Sequence, residues 1–234
     1  MKNMIEKIFL IFVETALEIV PIEIQNHPAI ISLARKRKKK TSEILLDRSY
    51  HHSAMKKLKE SYKRGRPDII HFCLLEALGS ILCKIGKLEV YVHTRDDYVI
   101  YVNPETRLPR VYNRFIGLIE QLYNIKEIKA NDKILLKIER KNLSQIINEI
   151  KPDGIFGMDE KGILISPMKL SEKILEFSKP AIIIGAFPRG EYSENTKNII
   201  GKNAYSIYPE SLETWIITSR ILSALEERIY YKNL

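Results

Sequence analysis

Ala181-Ile182-Ile183-Ile184-Gly185-Ala186-Phe187-Pro188-Arg189-Gly190 is the stretch whose reading decides the fold. Ala181 to Ile184 is a short aliphatic run, the signature of a strand buried on both faces. It leads into a loop in which two glycines allow the backbone to approach a ligand closely. Outward from this strand, helical and strand patterns alternate. Helix Met168 to Phe177 precedes it, and a short Tyr205-Ser206-Ile207 segment and a long helix, Leu212 to Tyr230, follow. Further back come strand Ile134 to Ile138, helix Leu143 to Ile150, strand Ile155 to Met158 and the apolar run Ile163 to Ile165.

The first half repeats the alternation. Ile8 to Val13 reads as a buried strand and Glu14 to Val20 as a helical turn or two ended by Pro21. A helix from Pro28 through Ala34 precedes a strand at Ile44 to Asp47. His51-His52 opens a helix through Leu58, with capping or core packing the better reading of the pair than a metal site. Asp68 is placed to cap an apolar helix, Ile69 to Leu82. Leu88 to Thr94 and Tyr98 to Val102 form a hairpin with Tyr91, His93, Tyr98 and Tyr101 exposed or half exposed. These patterns predict an α/β fold, a mostly parallel sheet covered by helices on both faces. A single domain spans 1–234, with a basic segment at 35–40 and a hairpin insertion near 88–103.

The 38 Lys+Arg against 29 Asp+Glu give a net charge of +9, which points to a polyanionic partner. Arg35 to Lys40 are six successive cations. A solvated, mobile tip and a phosphate-attracting arm fit them equally. The two cysteines, Cys73 and Cys83, match no zinc or redox spacing and read as reduced thiols of an intracellular protein. The run Ile8 to Val13 is too short for a signal sequence or a membrane span. A cytoplasmic protein with no metal and no membrane partner is expected.

Two regions suggest ligand sites. Pro109 suits the first turn of a helix, which would run to about Tyr123 with Arg110 and Arg114 on one face and Arg107 just ahead. A solvated helix face is the bland reading. Three convergent guanidiniums, however, invite a phosphate or carboxylate between them. Arg66 stands in a tight loop fixed by Gly65 and Pro67, within reach of Asp68. The second region lies at the carboxyl ends of strands, where parallel sheets bind ligands. Ser166-Pro167, Gly185 to Gly190 and Tyr208 to Ser211 fit that position. The pattern is neither a phosphate-binding P-loop nor a GxGxxG fingerprint. By itself it reaches a small ligand, such as a nucleoside-like cofactor, with tight turns between packed elements as the alternative.

Lys63-Arg64-Gly65-Arg66-Pro67-Asp68, Val90-Tyr91-Val92-His93-Thr94, Pro104-Glu105-Thr106-Arg107-Leu108-Pro109-Arg110 and Ile184 to Gly190 occur in this order. With them the chain resembles the ribosome-biogenesis pseudouridine N1-methyltransferases of small-subunit ribosomal RNA, found in archaea and eukaryotes. Two departures are visible: Arg189 stands where many of that family have histidine, and the proline of Tyr208-Pro209-Glu210-Ser211-Leu212 is placed differently. The resemblance implies a SPOUT-like fold with a C-terminal trefoil knot, S-adenosylmethionine as methyl donor, and a homodimer that binds ribosomal RNA across both subunits. It implies RNA contacts at Arg66, Arg107, Arg110 and Arg114, with Asp68 orienting Arg66. Cofactor contacts would fall at Gly185, Gly190, Ile207, Tyr208, Pro209, Glu210, Ser211 and Leu212, with Ser166 or its neighbours closing the pocket.

The implied reaction methylates N1 of a pseudouridine. The donor methyl is already electrophilic, so positioning is the main task. No His/carboxylate dyad offers a base, and nearby arginines would stabilise the developing ring anion. The target nucleotide would have to leave its stack. A non-catalytic ribosomal-RNA-binding assembly factor is the alternative reading of the same basic surfaces.

Overall fold

In the computed structural model, which describes residues 5–233, β1 (Ile8–Thr15) lies at the centre of the fold. Its side chains alternate between two cores. Ile8, Leu10 and Phe12 join the larger cluster on one face, and Phe9, Ile11 and Val13 the smaller one on the other. That period-two division explains why a strand buried on both faces is an unbroken apolar run. Residues 1–4 and 234 of the expected 1–234 span lie outside the described residues.

In chain order there follow α1 (Pro28–Arg37), α2 (Arg48–Met55), α3 (Pro67–Gly79), α4 (Ile81–Lys84), β2 (Leu88–Thr94), β3 (Tyr98–Val102) and α5 (Tyr112–Ile125). The second half comprises β4 (Glu127–Ala130), β5 (Lys133–Arg140), α6 (Leu143–Ile150), β6 (Gly154–Leu164), α7 (Pro167–Ile174), β7 (Pro180–Gly185), α8 (Glu194–Ile200), β8 (Ala204–Ser206) and α9 (Thr214–Ile229). One eight-stranded sheet has the order β4-β5-β3-β2-β1-β7-β6-β8. From β2 to β8 the neighbours are parallel, whereas β3, β5 and β4 are antiparallel. The α/β architecture with both faces covered is as the sequence predicts. The sheet is more mixed than expected, because the hairpin is built into it: β2 pairs with β1, and β3 carries β5 and β4 beyond it.

Helix ends follow their capping chemistry. Asn142 and Gln145 exchange reciprocal hydrogen bonds of 2.9 Å at the start of α6. Pro67 and Pro167 occupy first-turn positions of α3 and α7. Asp68 sits inside the first turn of α3, and Arg66 occupies the cap position. The expected helix 69–82 breaks at Ser80, whose hydroxyl caps α4 at Cys83 N, 3.1 Å away.

Several expectations are corrected. Residues 14–20 are not helical: Glu14 takes φ 51°, and the segment pairs instead with residues 44–46. Val20 N donates to Ile44 O and Leu46 N to Glu18 O, so the expected strand 44–47 reduces to the single bridge Ile19–Leu45. The helix expected from Pro109 begins at Tyr112. His71 Nε2 donates to Pro109 O at 2.8 Å, drawing that carbonyl toward α3, and Val111 O receives the first helical bonds. Arg110 therefore precedes the helix that carries Arg114 and does not share its face.

His93 is buried, its Nε2 3.1 Å from Asp97 Oδ1. The basic segment is docked rather than mobile. Arg35 to Arg37 form the last turn of α1, and buried Glu120 binds both Arg37 and Lys39. β4 and α8 carry too weak a pattern, four residues of which none is buried and seven largely polar ones, to be read from sequence. Both cysteines are free thiols, and burial pushes that of Cys73 up to about 12.

Candidate cofactor cavity and arginine surface

At the carboxyl ends of β6, β7 and β8 lies a cavity of about 690 Å³, within the size range of pockets for nucleoside-sized ligands. β6 supplies one wall. Its pairing with β8 is interrupted between Met158 and Ile163, so Asp159 and Glu160 swing out of the ladder to the cavity edge. β7 ends at Gly185, which is clamped on both sides. Gly185 N donates to Tyr192 Oη at 2.8 Å, and Thr214 Oγ1 donates to Gly185 O at 2.9 Å. The Tyr192 hydroxyl in turn donates to Met158 O at 2.6 Å, tying β6 to β7. Burial raises the pKa of this phenol, which keeps it a neutral donor.

The loop from Phe187 to Gly190 closes another side. Gly190 takes φ +106°, and a Cβ there would come within 2.8 Å of the Tyr62 ring and 3.1 Å of Lys63 Cε. The loop therefore lies directly on the segment leading to Arg66. Lys63 reinforces the contact, with its Nζ 4.5 Å from the Phe187 ring centroid and 3.0 Å from Glu14 Oε2. Burial alone would raise the Glu14 carboxyl. Hydrogen bonds from Ser193 N, Thr196 and Lys63 outweigh it and hold the pKa below the usual value.

Of the expected cofactor residues, Gly185, Gly190, Ile207, Glu210, Ser211 and Leu212 line this cavity. Ser166, Tyr208 and Pro209 are not among its lining residues. Ser166 instead caps α7 through a 3.3 Å bond to Lys169 N, and Tyr208 O accepts from Ser206 Oγ at 2.5 Å. Asp159, Glu160, Tyr192 and Thr214 line the cavity without having been singled out, and their sequence positions carry no motif; Phe187 lines it as part of the expected Gly185–Gly190 loop. A strand interruption and a tyrosine seven residues past Gly185 become neighbours only through the topology.

The basic loop preceding α3 is ordered by ion pairs. Arg64 forks onto buried Glu18 at 2.8 and 2.5 Å, which takes that guanidinium out of solvent. Arg66 forks onto Asp68, with Nε 2.8 Å and a terminal nitrogen 2.7 Å from the carboxylate oxygens, and both side chains stay about one-third exposed. Asp68 raises the pKa of Arg66, with smaller contributions from Glu213 at the cavity and Tyr112 at the start of α5. Arg66 N donates to Ala16 O at 3.3 Å and Ala16 N to Ala186 O at 2.9 Å, which ties Arg66 to the loop that follows β7. His71 connects α3 to the second arginine segment by its bond to Pro109 O and by stacking on Phe115, ring centroids 4.3 Å apart. Arg107, Arg110 and Arg114 are all exposed and have no ion pair among the described residues.

Among the described residues no cluster of His, Cys, Asp or Glu could hold a metal ion, and no helix is long and apolar enough to cross a membrane. A ligand cavity at the carboxyl ends of parallel strands, whose Gly190 loop lies against the segment leading to Arg66, defines an α/β protein that binds a small ligand. The model of the EMG1/NEP1 methyltransferase family matches residues 10–226, and the chain belongs to that family.

The ribosomal RNA small subunit methyltransferase Nep1 of Thermococcus sibiricus is 51% identical over 213 residues, covering 91% of this chain and 94% of that protein. The protein of the same name from Pyrococcus furiosus is 45% identical over 221 residues, covering 94% of this chain and 97% of its own length. The crystal structure of Archaeoglobus fulgidus Nep1 bound to S-adenosylhomocysteine superposes with a TM-score of 0.84 at 40% identity, covering 95% of this chain and 98% of that one.

Proposed function

We propose that this chain transfers a methyl group from S-adenosylmethionine to N1 of a pseudouridine in small-subunit ribosomal RNA, acting in the cytoplasm during small-subunit biogenesis. The observation that carries the proposal is the adjacency of the cavity to the Arg66–Asp68 fork, through the contact of the Gly190 loop with Tyr62 and Lys63 just ahead of Arg66. Two relatives are named small-subunit ribosomal RNA methyltransferases, and the Archaeoglobus relative was crystallised with S-adenosylhomocysteine.

The cavity residues fit such a cofactor. The glycine-bearing loop Gly185–Gly190 and the loop Ile207–Leu212 offer main-chain donors and acceptors. Asp159, Glu160, Glu210 and Glu213 bring negative charge to the cavity, which favours a cationic ligand. When bound, S-adenosylmethionine supplies an electrophilic methyl on a sulfonium. The protein's task is then to bring the pseudouridine ring nitrogen in line with that methyl and to accommodate the loss of its proton. Asp68 holds Arg66 in one orientation, so the guanidinium meets the RNA with little ordering cost. Its fixed positive charge stabilises the ring anion as the N1 proton departs. Arg107, Arg110 and Arg114 bind phosphates and hold the RNA over the cavity.

In this reading the C-terminal part, β6 to α9, forms the trefoil knot of a SPOUT-class methyltransferase, and two copies pair so that RNA spans both. Phe72 and Ile216 support an apolar dimer face: they are 51% and 40% exposed, and the Phe72 ring lies 5.4 Å from that of Trp215. The test is transfer of labelled methyl to a short RNA hairpin containing pseudouridine, beside a uridine control. Transfer to the pseudouridine hairpin alone supports the proposal. RNA binding without transfer would instead assign an assembly role.

A further inference from the structure

Between α5, the end of α1 and Tyr50 of α2 lies a groove of about 410 Å³, with the edges of Ile116 and Glu120 of α5 reaching its wall. Its cations are held in place. Glu120, buried in α5, accepts from Leu45 N at 3.0 Å, Arg37 at 3.0 Å and Lys39 at 2.7 Å. The Arg37 guanidinium lies 5.6 Å from the centroid of the Tyr50 ring, which is 47% exposed. Two cations on one carboxylate leave a net positive charge. Lys36, exposed and without an ion pair among the described residues, adds to it.

Gly117, in the middle of α5, lines the groove on the helix side. A Cβ there would meet nothing within 4 Å, so packing does not require glycine, and helix propensity disfavours it. The groove lies on the same helix as Arg114, with Asn113 among its lining residues.

We propose that this groove is a second RNA subsite that takes an unpaired nucleotide flanking the target. Its phosphate lies against Lys36 and Lys39, and its base stacks on the Tyr50–Arg37 pair. This rests on the RNA-modifying reading above. A solvated basic helix end would need neither the ordered cations nor the bare helix side.

The test measures affinity for a labelled pseudouridine hairpin carrying single-stranded extensions, at several salt concentrations, for Lys36→Ser, Gly117→Leu and Arg110→Ala. Gly117→Leu should weaken binding roughly tenfold, the size of one base–aromatic stack. Lys36→Ser should lower the salt slope by about 1. Affinity for S-adenosylhomocysteine should stay as in the unaltered protein, and the thermal midpoint should not fall, Gly117→Leu raising it if anything. A hairpin trimmed of its extensions should bind all but Arg110→Ala equally. Wild-type affinity in both groove variants, with binding lost in Arg110→Ala, would overturn the subsite and leave the groove to an acidic protein partner. Wild-type affinity in all three would overturn the RNA reading itself.

Discussion

Thr214 donates its hydroxyl to the carbonyl of Gly185 at 2.9 Å, joining the first residue of the last helix to the last residue of β7 at the wall of the cavity. Thr214→Val keeps the shape and leaves the carbonyl without that donor. The expected cost is about 1–2 kcal/mol of stability in urea unfolding. Affinity for S-adenosylhomocysteine should also fall by calorimetry, and Thr214→Ser should restore both. A valine variant that binds as tightly as the parent would remove the clamp from the cofactor site.

Asp68 acts through Arg66. The pair is partly exposed, so Asp68→Asn should change stability by no more than about 1 kcal/mol. Methyl transfer should drop well beyond what that loss explains, chiefly in turnover with saturating RNA, because the guanidinium is no longer held in one orientation. Arg66→Ala should lose both RNA affinity and turnover. If Asp68→Asn shows unchanged kinetics, the fork is only a helix-end ion pair.

At Gly162 the backbone of β6 lies against that of β8. A Cβ would fall 2.5 Å from Tyr205 N and 2.6 Å from Ala204 C, both backbone atoms that cannot swing aside. Gly162→Ala should displace β8 and the loop after it, at about 1–3 kcal/mol in urea unfolding. Cofactor affinity should weaken in parallel. A fully stable alanine variant with normal cofactor affinity would contradict this packing.

Buried His51 accepts from Asp47 N at 3.0 Å through Nδ1, while its Nε2 has no hydrogen-bond partner. Burial lowers its pKa from 6.5 to about 4; Asp47 opposes this, and Arg37 and His27 add to it. The folded base is thus harder to protonate than the unfolded one. Its contribution to stability is present above about pH 6.5 and is lost as the pH falls toward 4. His93, lowered chiefly by burial, acts in the same direction. Urea unfolding at steps between these values should show the decline, and His51→Asn should flatten part of it. An equally steep decline in the variant would assign the acid sensitivity elsewhere.

Glu120 decides whether the basic segment is docked or loose. Glu120→Ala should cost about 2–3 kcal/mol, since a buried carboxylate with three donors is lost. Trypsin should then cut between Arg35 and Lys40 much faster than in the parent. Equal cleavage of both proteins would mean that the ion pairs do not order the segment.

What could be read from the sequence follows from where the physical cause lies. β1, β7 and α6 were legible because an unbroken apolar run, or a capping residue before a periodic one, is local information. The arginine residues were legible as a concentration of charge, but their arrangement was not. Pro109 looked like a helix start, and only the bond from His71, 38 positions away in the chain, shows why the helix begins later. The six cations at 35–40 looked mobile because their anchor, Glu120, lies more than eighty residues further on. The cavity was half legible. Its glycine loop announced itself, whereas Tyr192 and Thr214 gain meaning only when β7 sets Gly185 between them.

The most direct measurement is mass spectrometry of the nucleosides released from matched hairpins after incubation with the protein and S-adenosylmethionine. N1-methylpseudouridine should appear from the pseudouridine hairpin, no methylated nucleoside from the uridine hairpin, and Arg66→Ala should abolish the signal. Methylation of uridine at a comparable rate, or none in either RNA despite tight cofactor binding, would contradict the proposed reaction.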